Sequence, residues 1–314
     1  MENFIFAVNV TVPIFIMIAF GFFLRKVKLL NEGFLKVADK FCFTVTLPVL
    51  LFVDLAYADF IQAFDLKFIL FCAIVTSIAF WGSWGLARIF IKDRSKQGEF
   101  VQACYRSSAA VLGVALIQNI YGATTMGGMM ILGCVPLYNI YAVILLQSTS
   151  PDQSHGKGNV RKTALAVLKN PIIIGVVLGL LSSILKIDYP QVIDTSLNYL
   201  SRMASPLALI CIGAEFDFTS ARSALKYSVT ASAVKIVVLP VLFVTAAVLM
   251  GFRGESLIAI FVMLSGATTP TAYIMARQYG HEGMITASAI VLTTLGSIFT
   301  LTLFLFILKS MAFI

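Results

Sequence analysis

Charge is scarce in this sequence. Asp, Glu, Lys and Arg make up 12% of the 314 residues, about half of the ~25% usual in a soluble domain. Histidine occurs twice and cysteine five times. Cys42, Cys72, Cys104, Cys134 and Cys211 all fall inside apolar runs without paired spacing, which argues against a disulfide framework or a zinc site and for small packing residues. No carboxylate pair, His/Cys cluster or intramembrane His assembles a catalytic constellation, so an enzyme is not expected, nor a tightly bound cofactor. A soluble globular protein is excluded by what takes their place: 59% of residues are hydrophobic, and mean hydropathy is +0.94.

A bilayer-spanning helix needs about 20 mostly apolar residues. Ten such runs fit, at about 4–24, 34–53, 67–90, 99–119, 125–147, 170–186, 192–213, 227–250, 256–277 and 284–308. The chain reads as an all-α polytopic membrane protein with short loops. The first run lacks a basic n-region and is long enough to span, so it reads as a helix rather than a cleaved leader. The net charge of +8 comes from basic residues scattered between apolar runs, not gathered on one face, so nucleic acid is not an expected partner. With the N-terminus outside, inside loops carry 15 Lys and Arg, outside loops carry four (Lys67, Lys186, Arg253, Lys309), and four lie within spans. The positive-inside rule therefore predicts both termini extracytoplasmic and the 148–169 loop cytoplasmic.

Shifted against itself by 158 residues, the sequence aligns Pro13 with Pro171, Gly21 with Gly179, Lys28 with Lys186, Pro48 with Pro206, and Asp59 with Asp217. Ser107 then meets Ser265, Ala109 meets Ala267, and Tyr121-Gly122 meets Tyr279-Gly280. Each half holds five spans, an odd number, so the second half must be inverted. This predicts a first repeat over 1–148, a linker over 149–169 and an inverted repeat over 170–314. Inverted repeats are characteristic of secondary transporters, with the site at the midplane between halves; a duplicated scaffold without transport is the plainer reading.

In such folds the site is built from interrupted helices at matching positions. The fourth span contains Arg106-Ser107-Ser108 and Gly113, and the ninth contains Ser265, Thr268, Thr269, Pro270 and Thr271. Pro270 removes a backbone donor, and the small hydroxyl residues can re-satisfy freed groups or touch a ligand. Exposed helix N-termini at such breaks favour an anion. Arg106 lies seven residues after Glu99, about 10 Å along the helix. It suits a substrate carboxylate, or it snorkels to the surface. Arg202 and Lys235 are the other deep cations, each open to a functional or structural reading. Lys40 is expected to pair with Asp39, and His155 and His281 to be solvated in loops. No Asp or Glu is expected deep in a span, which argues against a carboxylate sodium site.

Several stretches resemble the auxin efflux carrier family of membrane transporters, which includes bacterial relatives of plant PIN carriers. They are Val12-Pro13-Ile14-Phe15 with Gly21-Phe22-Phe23-Leu24-Arg25-Lys26, Thr46-Leu47-Pro48-Val49-Leu50-Leu51-Phe52, and Val135-Pro136-Leu137-Tyr138-Asn139. In the second half they are Asn170-Pro171-Ile172 with Gly179-Leu180-Leu181, Ser205-Pro206-Leu207-Ala208-Leu209 with Gly213, and Pro270-Thr271-Ala272 with Ala276 and Tyr279-Gly280. The resemblance implies crossing, interrupted helices 4 and 9, and a scaffold of spans 1, 2, 6 and 7. It implies a moving unit of spans 3–5 and 8–10, a small organic anion such as auxin, malate or malonate as substrate, and a homodimer. Around Gly113 the family's usual Asn and Pro are replaced by Ser108 and Ala115, which leaves both an intact and a broken fourth span open.

The reading is a secondary transporter of small organic anions working by alternating access in a plasma membrane, of the bacterial inner-membrane kind. Arg106 supplies charge, Asn139 a polar contact, and Ser107, Ser108, Gly113, Ser265, Thr268, Thr269, Pro270 and Thr271 the cradle. Its partners are then that anion and the lipid bilayer. The rivals are a sodium-coupled carrier of the bile-acid symporter type, and a membrane receptor or regulator that keeps the fold without transport.

Overall fold

The computed structural model describes residues 2–57, 65–109, 113–121, 125–151 and 168–314. Asp59, Gly122, His155 and most of the 149–169 linker lie outside them. The described residues are helical, with no strand among them. The elements are α1 (Glu2–Lys26), α2 (Glu32–Phe41), α3 (Leu47–Ala56), α4 (Leu66–Phe90), α5 (Arg94–Tyr105), α6 (Val114–Tyr121) and α7 (Thr125–Thr149). The second half contributes α8 (Pro171–Ile184), α9 (Gln191–Glu215), α10 (Phe218–Ala233), α11 (Leu239–Leu249), α12 (Gly254–Ser265), α13 (Pro270–Gln278) and α14 (Met284–Ser310).

Local chemistry explains where these helices start and widen. Asn31, Asp65, Asp93 and Asn170 each turn a side-chain oxygen to a backbone N–H of the first turn, at 2.8, 3.1, 3.1 and 2.8 Å, satisfying donors that have no partner within the helix. Cys42–Thr46 joins α2 to α3 as a π-helical turn, and Val234–Val238 joins α10 to α11 in the same way. Both turns run directly into Leu-Pro-Val-Leu, at Leu47 and Leu239. A proline ring collides with the carbonyl four residues back and offers it no N–H. Widening the preceding turn relieves that collision without ending the helix.

Helices Leu66–Phe90, Thr125–Thr149, Ala221–Leu249 and Met284–Ser310 are long and apolar enough to cross a membrane. The pair α12 and α13, bent by 42° at its break, makes a fifth candidate. Large apolar side chains such as Ile89, Phe90, Leu249, Phe299 and Phe306 face outward; their number suits a lipid environment and would be a liability in water.

The tightest packing joins α1 to α9 and α3 to α8. At Gly21 a Cβ would collide with the backbone carbonyl of Ile210, and at Gly213 with that of Ile18. At Gly179 it would lie 2.7 Å from the carbonyl oxygen of Phe52. The contact Gly21–Ile210 reappears as Gly179–Phe52 when each number moves by 158 and the partners exchange. Lys28 and Lys186, also 158 apart, share a left-handed backbone, with φ of 61° and 49°. Their turns match bond for bond: Lys28 N–H donates to Arg25 and Leu29 N–H to Leu24, while Lys186 N–H donates to Ser183 and Ile187 N–H to Ser182.

Two expectations about charged side chains are corrected. Lys40 is exposed and does not hold Asp39; the carboxylate of Asp39 lies 3.9 Å from Arg277 Nε instead. His281 is not solvated but 2% exposed, with Nδ1 2.7 Å from the Ser95 carbonyl and Nε2 3.3 Å from that of Leu146. Loop residues between two packed helix ends inherit the burial of those ends, which hydropathy along the chain does not register. Arg202 faces outward.

Candidate functional site

The fourth apolar run is broken. Tyr105 ends α5, Arg106 takes an extended backbone (φ −80°, ψ 128°), Ser107 and Ser108 also lie outside helix, and helical backbone is present again at Ala109, ahead of α6. In the ninth run α12 stops at Ser265, Gly266 is extended (φ −60°, ψ 148°), and α13 restarts at Pro270 with Thr269 as its cap. Pro270 has no N–H to leave unpaired and its fixed φ suits a first helical turn. The fourth-run break forms without a proline.

The two breaks meet. Ser108 N–H donates to the Ala267 carbonyl at 2.9 Å, and Ser107 Oγ donates to the Gly266 carbonyl at 3.1 Å. A Cβ on Gly266 would sit 2.6 Å from Ser107 Oγ, so glycine is needed for this approach. Thr268 braces the junction: its hydroxyl donates to the Ala103 carbonyl at 3.2 Å, and its N–H donates to Thr293 Oγ1 at 3.0 Å.

Breaking α5 frees its last carbonyls. Lys235, fully buried in the π-helical turn before α11, donates through Nζ to the Tyr105 carbonyl at 3.2 Å. A cation at a helix C-terminus complements the negative end of the dipole, so Lys235 supports the break structurally.

Arg106 is 2% exposed, and its side chain runs inward rather than snorkelling. Nη2 donates to Asn139 Oδ1 at 2.7 Å. Nη1 lies 2.9 Å from Met275 Sδ and 3.4 Å from Gln102 Oε1. Nε has no partner. Among the described residues no carboxylate lies within ion-pair distance of this guanidinium. Asn139 is held in turn by its own Nδ2, which donates to the Val135 carbonyl at 2.8 Å.

Arg106, Ser107, Ser108, Asn139, Thr269 and Thr271 line one cavity of about 50 Å³ at the junction. The other expected cradle residues, Gly113, Ser265, Thr268 and Pro270, are not among its lining residues. Ser265 is fully buried and donates its hydroxyl to the Phe261 carbonyl. A Cβ on Gly113 would meet Met130 at 3.1 Å, and Pro270 opens α13.

Seven further residues line the cavity, among them Asp54 of α3, Tyr138 of α7 and Ser205 of α9. Asp54 places a carboxylate beside the helix break, which the sequence reading did not include. It stands one residue past the expected end of the second apolar run, and only helix packing carries it beside the break. Its one sequence signal is a lone acid in the run Leu47–Ala56.

A family model described as membrane transport protein matches residues 6–305. The chain belongs to this family. It is the auxin efflux carrier family that the sequence resembles. The chain is 21% identical to the protein named "Uncharacterized transporter YfdV" of Escherichia coli K12, over 96% of this chain and 98% of that protein. It is 22% identical, with the same coverage of each, to "Uncharacterized transporter MJ1031" of Methanocaldococcus jannaschii. This member of the membrane transport protein family is therefore a multi-pass membrane protein of a transporter family.

Proposed function

We propose that the chain is a secondary transporter of small organic anions, working by alternating access around the junction of its two helix breaks. The observation that carries this reading is Arg106: a buried guanidinium on the cavity wall, held by Asn139 and, among the described residues, matched by no carboxylate within ion-pair distance. A buried charge without a counter-ion is costly, and an entering carboxylate would complete it with a bidentate pair.

Ten spans in a 5+5 inverted repeat, over 1–148 and 170–314, form the framework of this reading. The matched turns at Lys28 and Lys186 and the exchanged contact Gly21–Ile210 and Gly179–Phe52 support it. The close α1–α9 and α3–α8 packing suits a rigid scaffold, against which the broken helices would move. The lysine and arginine distribution supports extracytoplasmic termini.

The test is uptake of radiolabelled malate, malonate and indole-acetate by proteoliposomes, for wild type and Arg106→Ala, with and without imposed proton and sodium gradients. Saturable flux lost in the variant, with folding retained, is the expected result. No flux of any acid by folded wild-type protein would overturn the reading in favour of another substrate class or a non-transporting receptor. Flux that requires sodium would favour a symporter, although among the described residues Asp54 is the single carboxylate lining the cavity.

A further inference from the structure

A second cavity, about 300 Å³, opens at the other end of α4, away from the helix breaks. It is lined by Trp84, Arg88, Lys92, Arg94, Gln97 and Thr149. Three cations converge there from the end of α4, the following turn and the first residue of α5. Their one acidic neighbour in sequence, Asp93, is committed elsewhere: it accepts from Ser95 N–H and Oγ and lies 3.5 Å from Lys96 Nζ. Among the described residues no carboxylate lies within ion-pair distance of Arg88, Lys92 or Arg94. Arg88 is held in place by its guanidinium, 4.7 Å over the Trp84 ring, a cation–π contact that leaves its N–H edges free.

A second observation points to a ligand. Trp84 is 8% exposed, it lines this cavity, and its indole Nε1 has no acceptor. A buried N–H without a partner forfeits a hydrogen bond. A ligand oxygen would restore it. The cavity also borders an outward apolar strip on α4, where Trp81, Leu86, Ile89 and Phe90 are exposed. Fork-shaped arginine donors match phosphate oxygens, and the apolar strip accommodates acyl chains beside them.

We infer that this cavity binds the phosphodiester headgroup of an anionic phospholipid, with Arg88, Lys92 and Arg94 on the phosphate and the Trp84 N–H completing the site. Basic pockets between membrane helices recognise anionic headgroups in this way. The site is separate from the transport cavity and does not depend on the identity of the transported anion.

The two tryptophans of the chain, Trp81 and Trp84, supply the readout. In a Trp81→Phe protein, Trp84 is the sole indole emitter. Reconstituted into phosphatidylcholine containing brominated phosphatidylglycerol, and into the reverse mixture, its quenching gives the relative affinity of the two lipids. The expected result is a preference for phosphatidylglycerol of about fivefold or more, from about 1 kcal/mol per engaged cation. That preference falls to near unity in Arg88→Gln/Arg94→Gln, and is partly lost in Lys92→Gln, an exposed position tolerant of substitution. Equal quenching by both lipids, or a preference that survives these substitutions, overturns the inference. Inorganic phosphate that shifts Trp84 emission in pure phosphatidylcholine, without any lipid preference, would assign the site to a free anion and overturn the lipid assignment.

Discussion

The N–H of Ser108 donates to the carbonyl of Ala267 across 2.9 Å, joining two interrupted helices that lie more than 150 residues apart in sequence. This bond uses groups that each helix leaves unpaired where it stops. The breaks therefore stabilise one another, and the polar backbone they expose inside an apolar protein is satisfied by the partner break rather than by water.

Asn139 holds the Arg106 guanidinium through one hydrogen bond of 2.7 Å. Asn139→Ala is expected to raise KM for the transported anion about tenfold or more, since a hydrogen bond to a charged group contributes about 1.5–3 kcal/mol. Asn139→Asp should be more damaging, because a carboxylate at that distance would occupy the guanidinium in place of substrate. Uptake kinetics of the two variants check this ordering. Equal KM for Asn139→Asp and wild type would sink it.

A methyl group on Gly213 would fall on the Ile18 backbone. Gly213→Ala should lower stability by about 1–3 kcal/mol through overpacking. Gly82 has nothing within 4 Å of its added Cβ, so Gly82→Ala should be neutral or stabilising by up to about 1 kcal/mol. Thermal midpoints in one detergent distinguish the pair, and identical midpoints would contradict the packing at α1–α9.

Glu99 is 3% exposed and receives the N–H groups of Gly283, Ile285 and Thr286 at 2.9, 2.9 and 3.2 Å. It is a cap for α14 supplied from another helix. Glu99→Gln keeps the size but loses the charge and one acceptor oxygen. A loss of about 1–3 kcal/mol is expected, read as faster hydrogen exchange at the first turn of α14.

Arg277 of α13 lies 3.0 Å from Glu215 of α9 and 3.9 Å from Asp39 of α2, and Tyr273 donates its hydroxyl to Glu215. This cluster ties half of the broken ninth helix to α2 and α9. A double-mutant cycle on Arg277→Gln and Glu215→Gln should give a coupling of about 0.5–3 kcal/mol. Additive effects on the unfolding midpoint would show that the cluster contributes no coupling.

Several features were legible because they depend on local chemistry. Pro270 marked a helix break, and the 158-residue alignment paired Gly21 with Gly179 and Lys28 with Lys186, positions that share backbone geometry or close contacts in the fold. Asp54 and Lys235 were harder. Each stands in an apolar run where one charge carries little weight, and its meaning comes from the surface it meets. His281 and Asp39 were misjudged because their partners, Ser95 and Arg277, come from distant helices.

The sequence by itself determined that this is an apolar helical membrane protein of a transporter family. Apolar run length, scarce charge and proline position act through the bilayer and through backbone sterics, both of which are read locally along the chain. Only the tertiary structure decided that the fourth helix breaks without proline and that its break rests on Ala267, Gly266 and Lys235. It also decided that Arg106 lines a buried cavity with Asp54, with no described carboxylate at ion-pair distance from the guanidinium. Those outcomes depend on which distant groups satisfy a buried donor, acceptor or charge, and in an interior without water that choice belongs to the packed fold.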